Sequence, residues 1–90
     1  MPQVKPTNSF HKDYKRHCRD ADVMKILQAV TYLLENDLPL PPMFRDHKLV
    51  GRLSHCRECH IKPDLLLIYE RLGDSIKFHR LCNHSELFGA

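Results

Sequence analysis

Two segments in the first half of the chain repeat apolar residues at the spacing of amphipathic helices. In the first segment Phe10, Tyr14 and Cys18 recur at every fourth position, which places them on one face of a helix from about Asn8 to Arg19. The second segment carries a wider apolar stripe, made of Val23, Ile26, Leu27, Val30, Leu33 and Leu34. Because little chain separates the two segments, we predict that their helices fold back on each other as a hairpin.

Polar residues and prolines mark the ends of these helices. Asn8 or Ser9 can cap the first helix, and Asp20 or Asp22 can cap the second. The proline-rich segment 39–42 stops the second helix, because proline has no backbone N–H and cannot continue a helix. We interpret this segment as a loop within one domain.

The second half of the chain has the shorter period that is typical of strands. Residues 65–70 (LLLIYE) are an apolar run of strand length, and residues 76–81 (IKFHRL) alternate between apolar and polar positions. Residues 71–75 lie between them and can turn the chain, so the two segments are predicted to form a hairpin. Arg52 to His60 is predicted as a further strand of polar character.

The order of predicted elements indicates an α+β protein. Val4 can form a first strand, which must be short and at an edge because prolines flank it on both sides. The predicted order is β-α-α-β-β-β, with the two-helix hairpin packed on a small antiparallel sheet. Ninety residues, of which 42% are apolar, suit a single domain that spans residues 1–90.

Composition narrows the class of protein further. The chain has no run of about 18 apolar residues, so it contains no predicted transmembrane helix. Its N-terminus turns polar at once, unlike a signal peptide, and we therefore expect a cytoplasmic location with reduced thiols at the four cysteines. The net charge of +3, with seven histidines besides, is compatible with a partner that carries phosphate.

The stretch HCRECH, which ends at His60, permits three interpretations. Cys56-x-x-Cys59-His60 has the spacing of a c-type haem attachment site, and the same cysteines with Cys82 and His84 supply four possible zinc ligands. On a strand, however, residues three apart point to opposite faces, so two such thiolates cannot share one zinc ion. We therefore interpret the thiols as packing groups, His60 as the functional member, and expect neither a metal nor another cofactor.

A group of imidazole, carboxyl and guanidinium side chains remains in the second half of the chain. Its members are His47, His60, Asp64, Arg80 and His84. These residue types suit the cleavage of an RNA phosphodiester by its own 2′-hydroxyl, which needs a base, an acid and a cation for the charge that builds on the phosphate. Because the acidic residues show no paired-carboxylate motif, a metal-free mechanism is favoured over a two-metal mechanism.

The segments that hold these residues resemble the YafQ branch of the RelE-type toxins of bacterial toxin–antitoxin systems. The most specific likeness lies in HIKPDLLLIY, residues 60–69, and HSELF, residues 84–88, while residues 9–16 are similar to the family's first helix. The resemblance implies a RelE-like fold and a ribosome-dependent endoribonuclease that cuts translated mRNA. It also implies a cognate antitoxin as partner, which covers the active site and blocks entry into the ribosome.

Position by position, the resemblance also implies roles for individual residues. The catalytic positions match His47, His60, Asp64, Arg80 and His84. Phe88 matches a C-terminal aromatic residue that helps to position the RNA, and proton transfer is expected from His84 together with His60 or Asp64. Arg80 is expected to stabilise the phosphorane, while the choice of base and acid stays open. The candidates for phosphate contacts, close in sequence to this set, are Lys48, Arg52 and Lys62.

Two other functions are compatible with the sequence. A non-catalytic module that binds the ribosome, RNA or a protein could have the same fold without cleaving mRNA. A small zinc protein, the less favoured of the two, would use Cys56, Cys59, Cys82 and His84 as its ligands.

Overall fold

A computed structural model describes residues 2–88, which form three α-helices and five strands. The strands are β1 (Gln3–Pro6), β2 (His47–Lys48), β3 (Arg57–Lys62), β4 (Leu65–Leu72) and β5 (Ser75–Cys82). The helices are α1 (Asn8–His17), α2 (Ala21–Glu35) and α3 (His84–Phe88), with short 3₁₀ turns at Pro42–Phe44 and Gly51–Leu53. The predicted α+β class is confirmed, and β2 and α3 add to the predicted order.

The two long helices begin at side chains that cap them. Thr7 caps α1, because its hydroxyl oxygen accepts a hydrogen bond from the N–H of Phe10 at 3.0 Å; the predicted caps Asn8 and Ser9 lie inside the helix. Asp20 caps α2, as predicted, by accepting from the N–H groups of Asp22 and Val23. Within the described range no helix is long and apolar enough to cross a bilayer.

The sheet has the strand order β1-β5-β4-β3-β2. Its last four strands pair antiparallel, whereas β1 runs parallel to β5, so the sheet is mixed rather than wholly antiparallel. β1 lies at an edge, as its flanking prolines require. The direction of β1 follows from its pairing with the last strand of the chain, a contact between residues about 72 positions apart that no local pattern encodes.

The sheet separates two apolar clusters because side chains alternate along each strand. Helices α1 and α2 cover one face, where Val30, Leu67 and Tyr69 are among the fully buried residues. On the opposite face, which we call the far face, Leu66 and Ile68 pack with Leu49 and Cys56, and Leu53 and Leu87 lie against them. Among residues 2–88, the loop after β2 and the short α3 supply the apolar side chains that lie against this face, and polar side chains occupy part of it as well.

The cysteines divide between the two faces. Cys59 packs in the cluster under the helices, whereas Cys56, just before β3, packs on the far face. Burial raises the pKa of Cys59 to about 12 and that of Cys82 to about 11, so both stay protonated thiols at neutral pH. Cys56 and Cys59 therefore share neither a haem nor a zinc ion, and in residues 2–88 the zinc set of these two with Cys82 and His84 is not brought together.

Strand β3 begins later than predicted. The expected strand Arg52–His60 is replaced by a 3₁₀ turn at Gly51–Leu53 followed by β3 at Arg57–Lys62. Gly51 has a φ of 72°, a left-handed conformation that glycine adopts without steric cost, and this turns the chain before the strand. The polar residues of this segment have no alternating pattern from which the start of β3 could be read.

Candidate active site

Three imidazoles surround one buried carboxylate on the far face. Glu58 lies on β3 beside Cys59 and is only 2% exposed. The Nε2 atoms of His47 and His60 lie 3.1 and 3.5 Å from Glu58 Oε2, and that of His84 lies 3.2 Å from Oε1. A carboxylate this deeply buried requires charged or hydrogen-bonding partners, and the imidazoles supply them.

The fold brings these four side chains from three separate segments. His60 follows Glu58 by two residues on β3, so both project from the same face of the strand. His47 lies on β2 directly opposite Glu58 in the antiparallel register. His84 is the first residue of α3, at the end of the chain. The β2–β3 pairing and the position of α3 therefore complete the cluster.

The segment that carries His47 is held by its neighbour Asp46. The Asp46 carboxylate accepts two hydrogen bonds from the Arg57 guanidinium, each 3.2 Å long, and a third from the hydroxyl of Tyr69. Burial and the hydrogen bond to Asp46 raise the pKa of Tyr69, so the phenol remains a donor at every physiological pH. These contacts tie β2 to β3 and β4, and they fix the backbone from which the His47 side chain reaches Glu58.

Two of the imidazole rings lie between a backbone carbonyl and the buried carboxylate. His47 Nδ1 lies 2.7 Å from the carbonyl oxygen of Arg45, and His47 Nε2 faces Glu58. The ring of His60 has the same surroundings, with Nδ1 3.3 Å from the carbonyl oxygen of Pro63. Each ring is therefore oriented with one nitrogen towards the backbone and the other towards Glu58.

Glu58 retains one unused acceptor, and it is directed at His84. Glu58 Oε1 is buried and has no hydrogen-bond partner among the described residues, although His84 Nε2 lies 3.2 Å away. The His84 side chain is about half exposed, at 49%, whereas that of His60 is 13% exposed. His84 can therefore meet both the buried carboxylate and a substrate, which is the position that proton transfer requires.

A cavity of about 550 Å³ adjoins the cluster on the far face. Arg80, Arg52 and Phe88 line it, so it offers two guanidinium groups and an aromatic ring. The Phe88 ring is stacked on the His84 ring, with centroids 6.1 Å apart and planes inclined by 8°. Phe88 thus connects the imidazoles to the cavity, and a bound phosphate group would lie between guanidinium and imidazole side chains.

Arg80 is oriented by a buried aspartate on α1. Asp13, which is 3% exposed, accepts hydrogen bonds from Arg80 Nε at 2.7 Å and Nη2 at 3.3 Å. It also accepts from the backbone N–H of Leu81 at 2.9 Å. The hydrogen bond to Asp13 raises the pKa of Arg80 further, so this side chain is a permanent cation. The Leu81 N–H fixes the Asp13 carboxylate, which holds Arg80 in one orientation beside the cavity through two charged hydrogen bonds.

Sequence comparison identifies the family. Residues 2–89 match the family described as "Bacterial toxin of type II toxin-antitoxin system, YafQ". The chain belongs to the YafQ toxin family. It is 34% identical over 87 residues to the mRNA interferase toxin YafQ of Escherichia coli (strain K12), and this overlap covers 96% of the chain and 95% of the relative.

Solved structures of YafQ and related toxins share the fold. A copper-bound mutant toxin from Helicobacter pylori is 39% identical and superposes with a TM-score of 0.91 over 98% of this chain and 100% of the relative. A chain of the E. coli DinJ–YafQ complex is 32% identical, with a TM-score of 0.85 over 99% of this chain and 100% of the relative. The resemblance to YafQ toxins inferred from the sequence is therefore confirmed, together with the fold class.

The structure of this YafQ family member brings some of the predicted site residues together and leaves others apart. His47, His60 and His84 meet at Glu58, and Arg80, Arg52 and Phe88 line the adjoining cavity. Asp64 is exposed in the turn between β3 and β4, and in the described part of the chain it forms no hydrogen bond or ion pair with these imidazoles. The roles assigned to all of these residues stay predictions.

The two predicted lysines lie at the margins of the site. Lys48 is exposed on β2, next to His47. Lys62 lies beside His60 in a separate hollow, and its Nζ is 3.9 Å from Asp22 at the start of α2. Lys62 is therefore drawn towards the helices, and Arg52 has the better position for a phosphate contact.

The same cluster contains the kind of ligands that transition metals prefer. Three imidazole nitrogens lie within 3.5 Å of one carboxylate, and imidazole binds copper and zinc well. A metal cation bound by the YafQ cluster would occupy the imidazole nitrogens that face Glu58.

Helix α3 was missed by the sequence analysis, although its start has a sequence signature. The side chain of Asn83 accepts from the N–H of Glu86 at 2.8 Å, and the side chain of Glu86 accepts from the N–H of Asn83 at 3.2 Å. Asn-x-x-Glu is therefore a reciprocal capping box that places His84 in the first turn of the helix. Arg16 on α1 binds Glu86 at 2.6 Å and so ties α3 to the rest of the molecule.

Low pH should weaken the ion pair between Arg16 and Glu86, which holds α3 against α1. The hydrogen bond from Arg16, followed by that from the Asn83 N–H, lowers the pKa of Glu86 below its ordinary value of 4.5. Because the folded pKa is depressed, the carboxylate contributes stability above pH 4.5 that is lost as the pH falls through the lower, folded pKa. We expect Glu86→Gln to reduce the free energy of unfolding in urea near neutral pH and to make the loss of stability below about pH 5 less steep.

Asp74→Asn, in the exposed turn between β4 and β5, is the matched control for loss of one carboxylate, and it should leave this acid dependence unchanged. If the stability of Glu86→Gln fell with pH as steeply as that of the wild type, the acid dependence would not come from Glu86.

Proposed function

We propose that this chain is the toxin of a type II toxin–antitoxin pair and cleaves mRNA during translation on the ribosome. The observation that carries the proposal is the convergence of His47, His60 and His84 on Glu58, next to a cavity lined by Arg80. Kinship with the E. coli protein named mRNA interferase toxin YafQ supports the choice of substrate. The ribosome requirement rests on the resemblance to RelE-type toxins.

The reaction is an attack of RNA on its own phosphodiester. A base removes the proton of the 2′-hydroxyl, the 2′-oxygen bonds to phosphorus, and the bond from phosphorus to the 5′-oxygen breaks. An acid delivers a proton to the departing 5′-oxygen, which leaves a cyclic 2′,3′-phosphate on one fragment and a 5′-hydroxyl on the other. The protein therefore has to accept one proton and donate another at nearby positions, which protonated and neutral imidazoles do near neutral pH.

We assign proton transfer chiefly to His84, because it is half exposed and faces the unused acceptor of Glu58. A proton taken up by His84 can be stabilised by this carboxylate, just as the carboxylate stabilises the other two imidazoles. His47 is exposed to a similar extent, at 52%, and is the second candidate to touch the RNA. His60 is mostly buried and is better suited to position Glu58 than to contact substrate.

The cavity supplies the cations and the aromatic ring that the reaction needs besides the proton-transferring groups. Arg80, preoriented by Asp13, is suited to stabilise the charge that develops on the phosphate oxygens in the transition state. Arg52 is exposed on the 3₁₀ turn across the cavity and can contact a neighbouring phosphate. Phe88 is 58% exposed, which is unusual for a phenylalanine and suits a ring on which a base stacks.

We further propose that the chain pairs with a cognate antitoxin. A related YafQ is found in the E. coli complex with DinJ, and the matched chain of that complex covers 99% of this one. An antitoxin that covers the imidazoles and the cavity would block both RNA binding and entry into the ribosome.

Expression in growing cells tests the cleavage. The toxin is induced together with one of two reporter mRNAs that differ only in the start codon, so that just one of them is translated. Primer extension should reveal new 5′ ends inside the coding sequence of the translated reporter and none in the untranslated one. Cleavage of both reporters would show that the ribosome is not required. Co-sedimentation with ribosomes without any new 5′ ends would identify a non-catalytic binding module.

The proposed chemistry also predicts the effect of metals in a reconstituted translation reaction. A chelator with little affinity for Mg²⁺, which the ribosome needs, should leave cleavage intact, because free imidazoles transfer the protons. Copper should inhibit cleavage, since a cation on the Nε2 atoms occupies these groups. Loss of cleavage after chelation, restored by copper or zinc, would show that the reaction depends on a metal ion.

A further inference from the structure

A second cluster of potential ligands lies on the far face, away from Glu58. It consists of His55, Cys56, Glu70 and His79, whose nitrogen, sulfur and oxygen ligand atoms all lie within 4.8 Å of one another. None of these residues is among the three imidazoles around Glu58, although His55, Cys56 and His79 line the adjoining cavity. A thiol, two imidazoles and a carboxylate are the ligand types found in four-coordinate zinc sites.

The cluster is assembled from three segments of the fold. His55 and Cys56 precede β3, Glu70 lies on β4, and His79 lies on β5. Glu70 alternates with Tyr69, whose ring packs under the helices, so Glu70 projects from the far face. Cys56 packs on that face as well.

A β-bulge brings His79 to the same place. Ile68 pairs with Arg80 and Tyr69 pairs with Phe78, so His79 is the extra residue on β5. Phe78 and Leu81 both pack under the helices although they are three residues apart, which leaves His79 and Arg80 to project elsewhere between them. His79 Nε2 thereby comes within 2.9 Å of Glu70 Oε1. Bulges that redirect a side chain in this way are frequent next to functional sites.

The pair of His79 and Glu70 could by itself be an ordinary cross-strand ion pair. A thiol and a second imidazole beside this pair make the arrangement more typical of a metal site. The thiol of Cys56 is fixed within reach of both, in a residue only 1% exposed, and the His55 ring meets the His79 ring edge-on with centroids 6.1 Å apart. Cross-strand pairing accounts for neither the thiol nor the second imidazole.

We propose that His55, Cys56, Glu70 and His79 form a zinc site that is separate from the RNA-cleaving cluster. Zinc bonds sulfur at about 2.3 Å and nitrogen or oxygen at about 2.0 to 2.2 Å, so ligand atoms around one ion lie roughly 3.3 to 3.8 Å apart. Reaching this spacing from ligand atoms that now lie within 4.8 Å of one another requires rotation of the exposed His55 ring and a slight opening of the His79–Glu70 hydrogen bond. One thiolate and one carboxylate neutralise the charge of Zn²⁺, which makes its partial burial inexpensive.

The site is accessible to an ion and has a physical consequence for the fold. His55, Cys56 and His79 line the same cavity as Arg80 and Arg52, and this cavity opens to solvent. Zinc binds the thiolate form of cysteine, so its binding to Cys56 would release a proton. A bound ion would link the segment before β3 to the β4–β5 hairpin. Unfolding would then have to break the bonds between the ion and its ligands.

Titration of the purified, untagged chain with Zn²⁺ and with Co²⁺ tests the proposal. Elemental analysis should find about one zinc per chain. Zinc at about 100 times its dissociation constant should raise the melting temperature by roughly 10 to 20 °C. Cobalt should give a sulfur-to-cobalt charge-transfer band, which reports a thiolate ligand directly.

Single substitutions test which residues bind the ion. Cys56→Ser should abolish the charge-transfer band, and His55→Gln, an exposed substitution that does not disturb the core, should weaken binding at least about tenfold. Cys18→Ser, at an exposed cysteine outside the cluster, and His84→Gln, in the RNA-cleaving cluster, should leave the charge-transfer band unchanged, because neither residue supplies its thiolate. A band that persists in Cys56→Ser, binding unaffected by His55→Gln, or a band lost in His84→Gln would each overturn the proposal. Since no readout uses RNA, the proposed cleavage can fail without affecting this result.

Discussion

His84→Ala should lower the rate of mRNA cleavage by at least about a hundredfold and relieve the growth arrest that we expect the wild-type chain to cause. His84 is the half-exposed imidazole beside the unused acceptor of Glu58, and its ring carries the stacked Phe88. Alanine removes the proposed proton-transferring group and the ring stacked on Phe88 together, while the apolar clusters on both sides of the sheet stay intact. Primer extension on a translated reporter measures the loss.

Two further variants give this prediction its controls. His84→Gln keeps a polar side chain of similar reach but cannot exchange a proton near neutral pH, so it should be nearly as inactive as alanine. His11→Ala, at an exposed position of α1, should remain fully active. A cooperative thermal melt of His84→Ala would show that the fold persists. Full toxicity of both His84 variants would remove this residue from the mechanism.

Asp13→Ala should lower the free energy of unfolding by about 2 to 4 kcal/mol, because Asp13 is buried and accepts three hydrogen bonds. The substitution deprives Arg80 of two hydrogen bonds and leaves the buried N–H of Leu81 without its acceptor. Because the Arg80 side chain is 30% exposed, water can hydrate part of the released guanidinium, which keeps the cost below that of a fully buried pair. The change in the free energy of unfolding is measured by urea unfolding, with circular dichroism as the signal.

Asparagine at the same position separates charge from hydrogen bonding. Asp13→Asn retains a carbonyl oxygen that can accept from Leu81 but loses the negative charge, so its stability should be intermediate. Asp74→Ala, in an exposed turn, should change the free energy of unfolding by less than about 0.5 kcal/mol. Because Asp13 also orients Arg80, cleavage should fall in the folded fraction as well. Equal stabilities of Asp13→Ala and the wild type would show that the contact contributes nothing.

The local pattern of apolar and polar residues predicted much of the fold. The stripes of α1 and α2 and the apolar runs of β4 and β5 have the periods that the structure shows, because each buries one face against the same sheet. The end of α1 at His17, the late start of β3 and the parallel pairing of β1 were not predicted. They depend on turns and on partners far along the chain, which hydrophobic periodicity does not encode.

Prediction of the candidate site depended on residue type as well as on the resemblance. Histidine and arginine were recognisable by their chemistry, and the structure brings three of the predicted imidazoles together. Glu58 and Asp13 were missed, because an acidic residue on a strand or helix is ordinarily a solvated one. Only their burial, at 2% and 3% exposure, reveals that they organise the basic groups. The capping signature that begins at Asn83 was available in the sequence and would have predicted α3.

The fold class and the inventory of imidazoles, guanidinium groups and thiols could be read from composition and hydrophobic period, and the toxin family from the resemblance of segments such as residues 60–69. Which of these side chains lie together was visible only in the folded chain. The tertiary structure separated Cys56 from Cys59, set three histidines around Glu58, directed Arg80 to Asp13, and placed His79 beside Glu70 by one extra residue in a strand. The physical reason is that alternation, register and bulges set the direction of each side chain. These depend on pairings between distant segments, whereas a residue's chemistry belongs to the residue alone.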